Sequence, residues 1–438
     1  MRVTWKILMV LGLTVALLIP LTMIRGTVAD RQRYRAEAVE EVARSTAGAQ
    51  ALSGPVLYVP YSDRVVRTRP DENGVPRRVE QVETGGWVFF PRTLDVQGRL
   101  QSLPRMRGLH EVRVFELDAR LRAGFRVTIP GDDDPASPRT LGEPRLGIGI
   151  GDVRGLVGTP SLRVAGAPAS LRQGLGQPGG TGLHALLPTP TQGQTLAFEV
   201  EFTAALQGTE TLSVVPLAER NLIALGSSWP HPKFHGAFLP RTREIGPAGF
   251  QARWEISSLA SNAQSQYRDA LRASGATRAI DAISVSLIDP VDTYTQVDRA
   301  TKYGVLFVLL TFVAFFMFEL LKRLRIHPIQ YGLVGLALSI FFLLLLALSE
   351  RIPFAIAYLV AALACVGLIG HYLAHVLGGW LRGFGLAAML ATLYAALYGL
   401  LISEDNALVL GAGLLFLVLA SIMVLTRRVD WYRATTSS

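Results

Sequence analysis

Six long apolar runs limit the possible folds of this chain more than any other feature. The runs cover residues 7–24, 304–321, 331–349, 352–377, 386–403 and 407–426. A helix needs about 20 apolar residues to cross a bilayer hydrocarbon core about 30 Å thick. Half of the 438 residues are hydrophobic, which agrees with several membrane segments. The sequence therefore predicts six transmembrane helices.

The first run has two interpretations, an uncleaved anchor and a cleaved signal peptide. The letters TVA before Asp30 loosely resemble a cleavage site. However, the run is longer than the apolar region of a signal peptide, and Arg25 interrupts the region where small residues are expected. We therefore interpret residues 1–25 as an N-terminal transmembrane anchor.

The net charge of +9 is concentrated around the apolar runs. Residues 1–25 carry +3 and residues 302–438 carry +4, whereas the long segment 26–301 carries only +2. A nucleic-acid-binding surface needs a concentrated basic face to neutralise phosphates. This distribution argues against a nucleic-acid partner, and the lipid bilayer is the partner that the apolar runs predict.

The short loops between the runs differ in their content of basic residues. Nine Lys and Arg residues lie in the N-terminus, the loops 322–330 and 378–385, and the C-terminal tail. The loops 350–351 and 404–406 hold one. Because basic residues accumulate in cytoplasmic loops, we predict that both termini are cytoplasmic and that residues 26–303 lie on the other side of the membrane.

Residues 26–303 have a strand-like pattern over most of their length. Apolar and polar residues alternate, with β-branched and aromatic enrichment, in segments 54–62, 112–121, 124–129, 195–206, 211–217 and 249–257. Such segments between Gly, Pro and Asp breaks are typical of antiparallel sandwiches. Residues 30–50 are predicted to continue the first helix, and residues 261–275 to form one inserted helix.

The predicted fold class is an α+β membrane protein. A large, mainly antiparallel, sandwich-like β domain over residues 26–303 lies between the first and second transmembrane helices. A five-helix transmembrane domain over 304–426 and a cytoplasmic tail over 427–438 complete the predicted organisation.

Two classes of cofactor site have little support. Cys365 is the single cysteine, which excludes an intramolecular disulfide and a cysteine-based zinc site. The segment GIGIGDVRG (147–155) has the glycines of a nucleotide-binding loop, but no helical pattern follows it. We interpret it as a strand and a turn, and we expect no cofactor.

Three ionisable residues within or beside the apolar runs are candidate intramembrane polar groups. His371 and His375 are four residues apart on one helix and could face one metal or haem, although no other run offers a second histidine pair. Glu319 lies three residues before Lys322, and we expect it to pair with charge at the interface. A proton-relay role is the alternative for Glu319.

The segment SSWPHPKFHGAFLP (227–240) is the most unusual part of the large domain. Its candidate interaction residues are Trp229, Pro230, His231, Pro232, Phe234, Phe238, Leu239 and Pro240. His231 and His235 have the spacing of a helical zinc pair, but the prolines at 230 and 232 disfavour a helix. We favour a rigid loop packed against a sheet, then a docking surface, then a metal or catalytic site.

This segment resembles the CreD family of inner-membrane proteins of Gram-negative bacteria. The resemblance rests on WPHPKFHGAFLP followed by GFQARW. It extends to TAGAQALSGPVL (46–57), IGDVRG (150–155), LSVVPL (212–217), DRATKYGVLFVLLTFVAFFMFE (298–319), HPIQYGLVGLALSIFFLLLLALSE (327–350) and RRVDWY (427–432). His235 falls at a position that the motif does not fix, and the pair at 371 and 375 matches no family motif, which weakens both metal interpretations.

The resemblance implies a multi-pass protein of the bacterial inner membrane with a periplasmic domain and a role in envelope integrity and β-lactam stress. It implies no catalytic mechanism. We therefore expect a non-enzymatic protein whose periplasmic domain engages an envelope protein or a lipid or cell-wall ligand. The alternative is a transporter or membrane enzyme handling a lipid or cell-wall intermediate. Its polar path would combine Glu319, Tyr372, Tyr394 and Tyr398 with the two membrane histidines.

Overall fold

The chain divides into two compact units. A computed structural model describes residues 3–70, 76–108, 110–132, 139–272, 280–287, 293–322, 327–376, 379–403 and 407–427. The unit that we call the membrane unit comprises Met1–Arg35 and Val291–Ser438, and the sandwich unit comprises Ala36–Pro290. The loop 404–406 and, apart from Arg427, the predicted tail lie outside the described residues.

Five helices are long and apolar enough to cross a membrane. The described residues form seven α-helices in all, of which these five are a subset. The seven are α1 (Val3–Ser45), α2 (Ala263–Arg272), α3 (Thr293–Lys322), α4 (Pro328–Ser349), α5 (Phe354–Val376), α6 (Trp380–Ile402) and α7 (Ala407–Thr426). The five candidate spans belong to α1, α3, α4, α5 and α6, whereas the apolar stretch of α7, Val409–Val424, is shorter. Five predicted spans therefore have matching helices, and the count of six stays a prediction.

Helix α4 shows how local chemistry sets a boundary. The His327 side chain accepts a hydrogen bond from the Ile329 amide, and the Gln330 side chain accepts one from the His327 amide, which is a capping box. Pro328 occupies the first helical turn, where its missing N–H costs nothing. The helix therefore begins three residues before the apolar run that starts at Tyr331.

The sandwich unit is built from strands β1 to β17. They are β1 (Gln50–Pro70), β2 (Pro76–Phe89), β3 (Thr93–Arg107), β4 (His110–Thr128), β5 (Arg139–Leu141), β6 (Arg145–Ile150), β7 (Leu156–Val164), β8 (Ala167–Pro168), β9 (Arg172–Gln173), β10 (Gly182–Leu186), β11 (Thr195–Thr209), β12 (Thr211–Val215), β13 (Arg220–Ser227), β14 (Pro232–Gly236), β15 (Thr242–Gly246), β16 (Gly249–Ser257) and β17 (Ile283–Leu287). Sheet A has the order β14-β17-β12-β1-β6-β10-β9, with β2 and β5 also paired to β1. Sheet B has the order β15-β16-β13-β3-β4-β11-β7-β8.

Both sheets are mainly antiparallel, as predicted, but each also contains one parallel pair that the sequence pattern did not indicate. Strand β1 runs parallel to β12, with Gln50 opposite Leu212, and β3 runs parallel to β13, with Thr93 opposite Arg220. The other strand pairs among the described residues are antiparallel. Alternation of side chains gives no information on the direction of the neighbouring strand, so the sequence pattern could not reveal the two parallel pairs.

One apolar core joins the two sheets. Leu52 and Val59 of sheet A lie in the same buried cluster as Phe115 and Trp254 of sheet B. The segment GIGIGDVRG forms the end of β6 followed by a 3-10 turn at Val153–Gly155, which confirms the strand-and-turn interpretation. Helix α1 continues the first apolar run as far as Ser45, also as predicted.

Candidate functional site

The segment 227–240 crosses from sheet B to sheet A. Strand β13 ends at Ser227 in sheet B, and β14 then pairs with β17 at the edge of sheet A. Strand β15 returns to sheet B beside β16. The predicted loop is therefore wrong for Pro232–Gly236, which form an edge strand. Proline is tolerated at an edge because its missing N–H faces no neighbouring strand.

Two phenylalanines of the segment close the end of the core. The Phe234 ring lies in sheet A, 5.5 Å from the Phe250 ring and 5.7 Å from the Trp254 ring of sheet B. The Trp254 indole N–H donates a 3.2 Å hydrogen bond to the Phe238 carbonyl oxygen. Phe238 and Phe234 both pack against the core cluster. These contacts favour the packing interpretation of the segment.

Trp229 stabilises the turn that leaves sheet B. Its indole N–H donates to the His231 carbonyl oxygen at 3.0 Å, and its backbone N–H donates to Ser227 Oγ at 3.1 Å. The Arg113 guanidinium lies 3.7 Å from the centre of the indole ring, a cation–π contact. The two prolines and this indole together give the turn one conformation.

The two histidines of the segment have different neighbours. His235 Nε2 lies 2.7 Å from Ser286 Oγ on β17. The exposed His231 ring instead contacts the Trp229 ring edge to face, with centroids 5.7 Å apart. No group of three or more His, Cys, Asp or Glu residues suited to a metal ion occurs in the described part of the chain.

Gly236 permits the close approach of β14 to β17. Its φ angle is +97°, and a Cβ atom there would lie 2.3 Å from the Ala282 carbonyl oxygen. The next amide, of Ala237, donates to that same oxygen at 2.8 Å. Leu239 follows with 68% of its surface exposed. The segment therefore packs its phenylalanines inward and leaves Leu239 as an exposed apolar side chain.

A second cluster joins two of the stretches that carry the family resemblance, and sequence reasoning gave it no role. Gln50, which is only 1% exposed, donates from Nε2 to the carbonyl oxygens of Asp152 and Gln207, both at 2.8 Å. Gln50 Oε1 accepts from the Asp152 amide at 3.2 Å. We call this cluster the Gln50 junction. A glutamine at the start of an apolar strand is a weak sequence signal for this cluster, because its burial appears only in the folded chain.

Asp152 is the charged centre of the Gln50 junction. Its carboxylate accepts from the Gly48 amide at 3.1 Å and from Arg154 Nε and Nη2 at 2.9 and 2.6 Å. These hydrogen bonds, chiefly those from Arg154, lower the pKa of Asp152 to about 2. Arg154 also donates from Nη1 to the Arg44 carbonyl oxygen in the last turn of α1, at 2.9 Å. The junction thus ties the end of α1 to both sheets.

Glu319 pairs with a tyrosine of the neighbouring helix. The Tyr331 hydroxyl of α4 donates to Glu319 Oε2 at 2.9 Å, and the glutamate is 5% exposed. The Tyr331 ring packs against Phe315 at 4.9 Å and Phe312 at 6.0 Å. The Lys322 side chain, which we expected to pair with Glu319, lies outside the described residues.

His371 and His375 lie on an exposed face of α5. Their ring centroids are 4.6 Å apart, and Trp380 of α6 lies 6.1 and 5.9 Å from them. His375 Nδ1 lies 3.0 Å from the His371 carbonyl oxygen. Tyr394 instead lies in the buried aromatic core, 4.5 Å from Phe307. The groups of the alternative polar path therefore contact different neighbours and do not form one cluster in the described contacts.

Comparison with known proteins gives one extensive similarity. The family model described as "Inner membrane protein CreD" matches residues 2–432. Inner membrane protein CreD of Escherichia coli (strain K12) is 37% identical over 434 residues, which cover 98% of this chain and 93% of that protein.

Solved structures align only weakly. An M1 zinc metallopeptidase from Deinococcus radiodurans gives a TM-score of 0.20 at 7% identity, covering 45% of this chain and 41% of that one. A mutant of an M1 zinc metallopeptidase from the same organism, bound to a Tyr-Ser-Ala substrate, gives 0.22 at 9% identity, covering 49% and 53%. Scores this low carry no argument about fold or function.

Proposed function

The chain belongs to the CreD family of inner membrane proteins, and from this premise we propose that it supports cell-envelope integrity through non-enzymatic contacts of its sandwich unit. It is a multi-pass membrane protein with several apolar helices. In this proposal the sandwich unit is the periplasmic part that meets envelope partners, and the membrane unit anchors it.

The observation that carries the proposal is that the candidate reactive side chains contact other side chains of the protein. His235 bonds to Ser286, His231 contacts Trp229, and Glu319 bonds to Tyr331. His235 and Glu319 thus each join two structural elements, and His231 contacts a residue of its own turn. A general acid or base must instead reach a substrate proton. This arrangement supports a binding role over an enzymatic one.

We also propose that both termini are cytoplasmic and that the sandwich unit is periplasmic. Arg31, which follows the first apolar run, forms a 3.1 Å ion pair with Glu350 in the predicted outer loop. Glu319 and Tyr331 meet near the predicted inner ends of α3 and α4. Residues predicted to lie on the same side of the membrane thus contact each other, which supports the assignment of loops to two sides. The excess of basic residues in one set of loops supports the assignment of that side to the cytoplasm.

Cysteine labelling in intact cells tests the orientation. In a Cys365→Ala background, Leu259→Cys and Leu381→Cys place thiols at positions that are 97% and 92% exposed. A membrane-impermeant maleimide should label the first variant in intact cells and the second only after permeabilisation. Labelling in the opposite order would overturn the orientation, and detergent-solubilised samples of both variants serve as the reactivity control.

Envelope protection tests the non-enzymatic role. A strain lacking the protein, challenged with detergent and a β-lactam, would receive either the wild-type chain or a combined Glu319→Gln, His371→Ala and His375→Ala variant. We expect equal protection, because the glutamine keeps a hydrogen-bond acceptor for Tyr331 and the histidines lie on an exposed face. Loss of protection at a normal membrane level of the variant would instead favour the transporter or membrane-enzyme alternative.

A further inference from the structure

The outer face of sheet B contains a groove of about 1780 Å³. It crosses β15, β16, β13, β3, β4, β11 and β7, and all of its walls belong to the sandwich unit. Its lining residues include four arginines (Arg99, Arg120, Arg243 and Arg253) and two carboxylates (Asp118 and Glu244). The groove is therefore a polar, positively charged concavity.

Strand register places one acid-free row of side chains along the groove. From β16 to β7 the row is Arg253, Ala224, Gln97, Arg120, Thr203 and Ser161. Residues at matching register positions of neighbouring strands point to the same face of a sheet. Two positive charges and several hydrogen-bonding groups thus face the groove in one line.

The adjacent row of the same face has a different charge pattern. It consists of Glu255, Leu222, Asp95, Arg122, Glu201 and Arg163. Its charges alternate in sign on β3, β4, β11 and β7, and Arg122 lies 3.4 Å from Glu201. A solvated sheet face commonly mixes both signs in this way. The excess of positive charge in the groove is therefore a local feature of one row.

The two arginines of the acid-free row have no close carboxylate partner. Arg99 lies outside this row and opposite Asp118 in the register of β3 and β4, whereas the exposed Arg120 has no ion pair within 4 Å among the residues that the structure describes. Arg253 has only a long contact, 3.7 Å, to Glu255, whose other oxygen binds Arg241 at 2.8 Å. A planar guanidinium binds a carboxylate through two parallel hydrogen bonds.

The shape of the groove indicates an extended chain. Ala224, Gly226 and Ala205 leave space on its floor, and the one aromatic residue in its lining, Phe250, is 3% exposed and offers no ring face. Arg253 and Arg120 lie three strands apart, or about 14 Å at about 4.8 Å per strand. An extended peptide advances about 3.4 Å per residue, so acidic residues four positions apart match this separation.

We propose that this groove binds an extended acidic peptide segment of an envelope partner, with its carboxylates held by Arg120 and Arg253. The inference deepens the proposed function and rests on it, because it assigns the surface and partner chemistry of the same non-enzymatic contact. Binding by charged groups at an exposed surface weakens as salt rises.

Peptide binding to the full chain in detergent tests the groove. The probe is a fluorescent ten-residue oligoglutamate, measured by anisotropy at low and high salt. We expect Arg120→Gln with Arg253→Gln to weaken binding at least tenfold. Arg122→Gln with Arg163→Gln, which removes two charges from the adjacent row of the same face, should change it less than twofold.

Three outcomes would overturn the inference: no binding by the wild-type chain, equal loss in the two double variants, or stronger binding of a carboxylated oligosaccharide than of the peptide. Scoring the same variants for envelope protection separates the two proposals. Protection that survives in the Arg120/Arg253 variant would reject the groove as the partner site and leave the proposed function standing. Loss of protection in that variant alone, together with loss of peptide binding, would support the groove.

Discussion

The two units both bury large aromatic side chains but differ in the side chains that they expose. In the sandwich unit, Phe115 and Trp254 are buried while arginines cover the outer face of sheet B. In the membrane unit, α4 buries Phe341 and Phe342 but exposes aliphatic side chains such as Leu333. Lipid is as apolar as leucine, so an exposed leucine costs little there. Water instead favours charged and polar side chains on the outside of the sandwich unit.

This difference determines how each unit is stabilised. A membrane helix satisfies its backbone hydrogen bonds within itself, so contacts between helices in the membrane unit add aromatic packing and single bonds such as Tyr331 to Glu319. A strand, in contrast, can form its backbone hydrogen bonds only with neighbouring strands. Strand β1 needs partners at β2, β5, β6 and β12, most of them distant in the sequence. The sandwich unit should therefore be the more sensitive of the two to single substitutions.

The largest expected effect is in the sandwich core. Trp254→Ala removes a side chain that is 1% exposed and contacts Phe234, so we expect a loss of about 3–5 kcal/mol in unfolding free energy. Leu333→Ala in the membrane unit, where the side chain is 47% exposed, should cost much less. Denaturant unfolding of the full chain in detergent, followed by far-UV circular dichroism, compares the two. Equal losses would contradict the comparison.

The second largest expected effect comes from a change in backbone conformation at Gly236. Gly236→Ala forces a side chain onto a φ of +97° and into the Ala282 carbonyl oxygen, so we expect a loss of about 1–3 kcal/mol. Gly246→Ala is the control, because a Cβ there meets nothing within 4 Å. Protease susceptibility at the edge of sheet A should rise only in the first variant. Normal resistance of both variants would show that β14 is not held by this close approach.

The Gln50 junction should make stability depend on pH. Asp152 has a folded pKa of about 2 against an ordinary value of 3.8, so its charged form stabilises the fold above about pH 4. This contribution is lost as pH falls through about 2. Asp152→Asn should therefore cost about 1 kcal/mol at pH 7 and progressively less toward pH 2, measured by denaturant unfolding. A difference that stays constant over this range would reject the ionic role, and Glu255→Gln in an exposed ion pair is the control.

The smallest expected effect is in the membrane unit. Tyr331→Phe removes one buried hydrogen bond to Glu319, and such bonds between membrane helices average about 0.6 kcal/mol. Tyr303→Phe is the control, because no hydrogen bond of that hydroxyl is found in the described residues. Thermal unfolding in detergent should separate the two variants by a small margin. A loss as large as that of Trp254→Ala would mean that polar contacts dominate in this unit.

The sequence predicted the membrane helices better than the sheets, for a physical reason. The run at 331–349 lies within α4, because a helix depends on residues close in sequence. Residues 112–121 and 124–129 were predicted as two strands, yet both belong to β4. The second predicted segment began at Gly124, where a Cβ would lie 2.8 Å from Thr93 Oγ1 on the neighbouring strand. The glycine thus serves a contact that only the folded sheet creates.

The sequence identified the residues of the candidate site but predicted only part of their structure. The aromatics of 227–240 were expected to pack against a sheet, and they do contact the core, but the crossing to sheet A was missed. That crossing depends on β17, a strand that the pattern did not identify. Gln50 was missed because its partners at Asp152 and Gln207 become neighbours only after folding.

The order of the strands also fixes when the sandwich unit can be completed during synthesis. Strand β1 emerges first, but its parallel partner begins at Thr211. Strand β17, which joins β12 to β14, ends at Leu287, shortly before α3 begins at Thr293. The ribosome must therefore make almost the whole segment before sheet A can close, and unpaired strand edges favour aggregation in the meantime. The incomplete segment consequently has to stay soluble until the strand that immediately precedes α3 in the chain has been made.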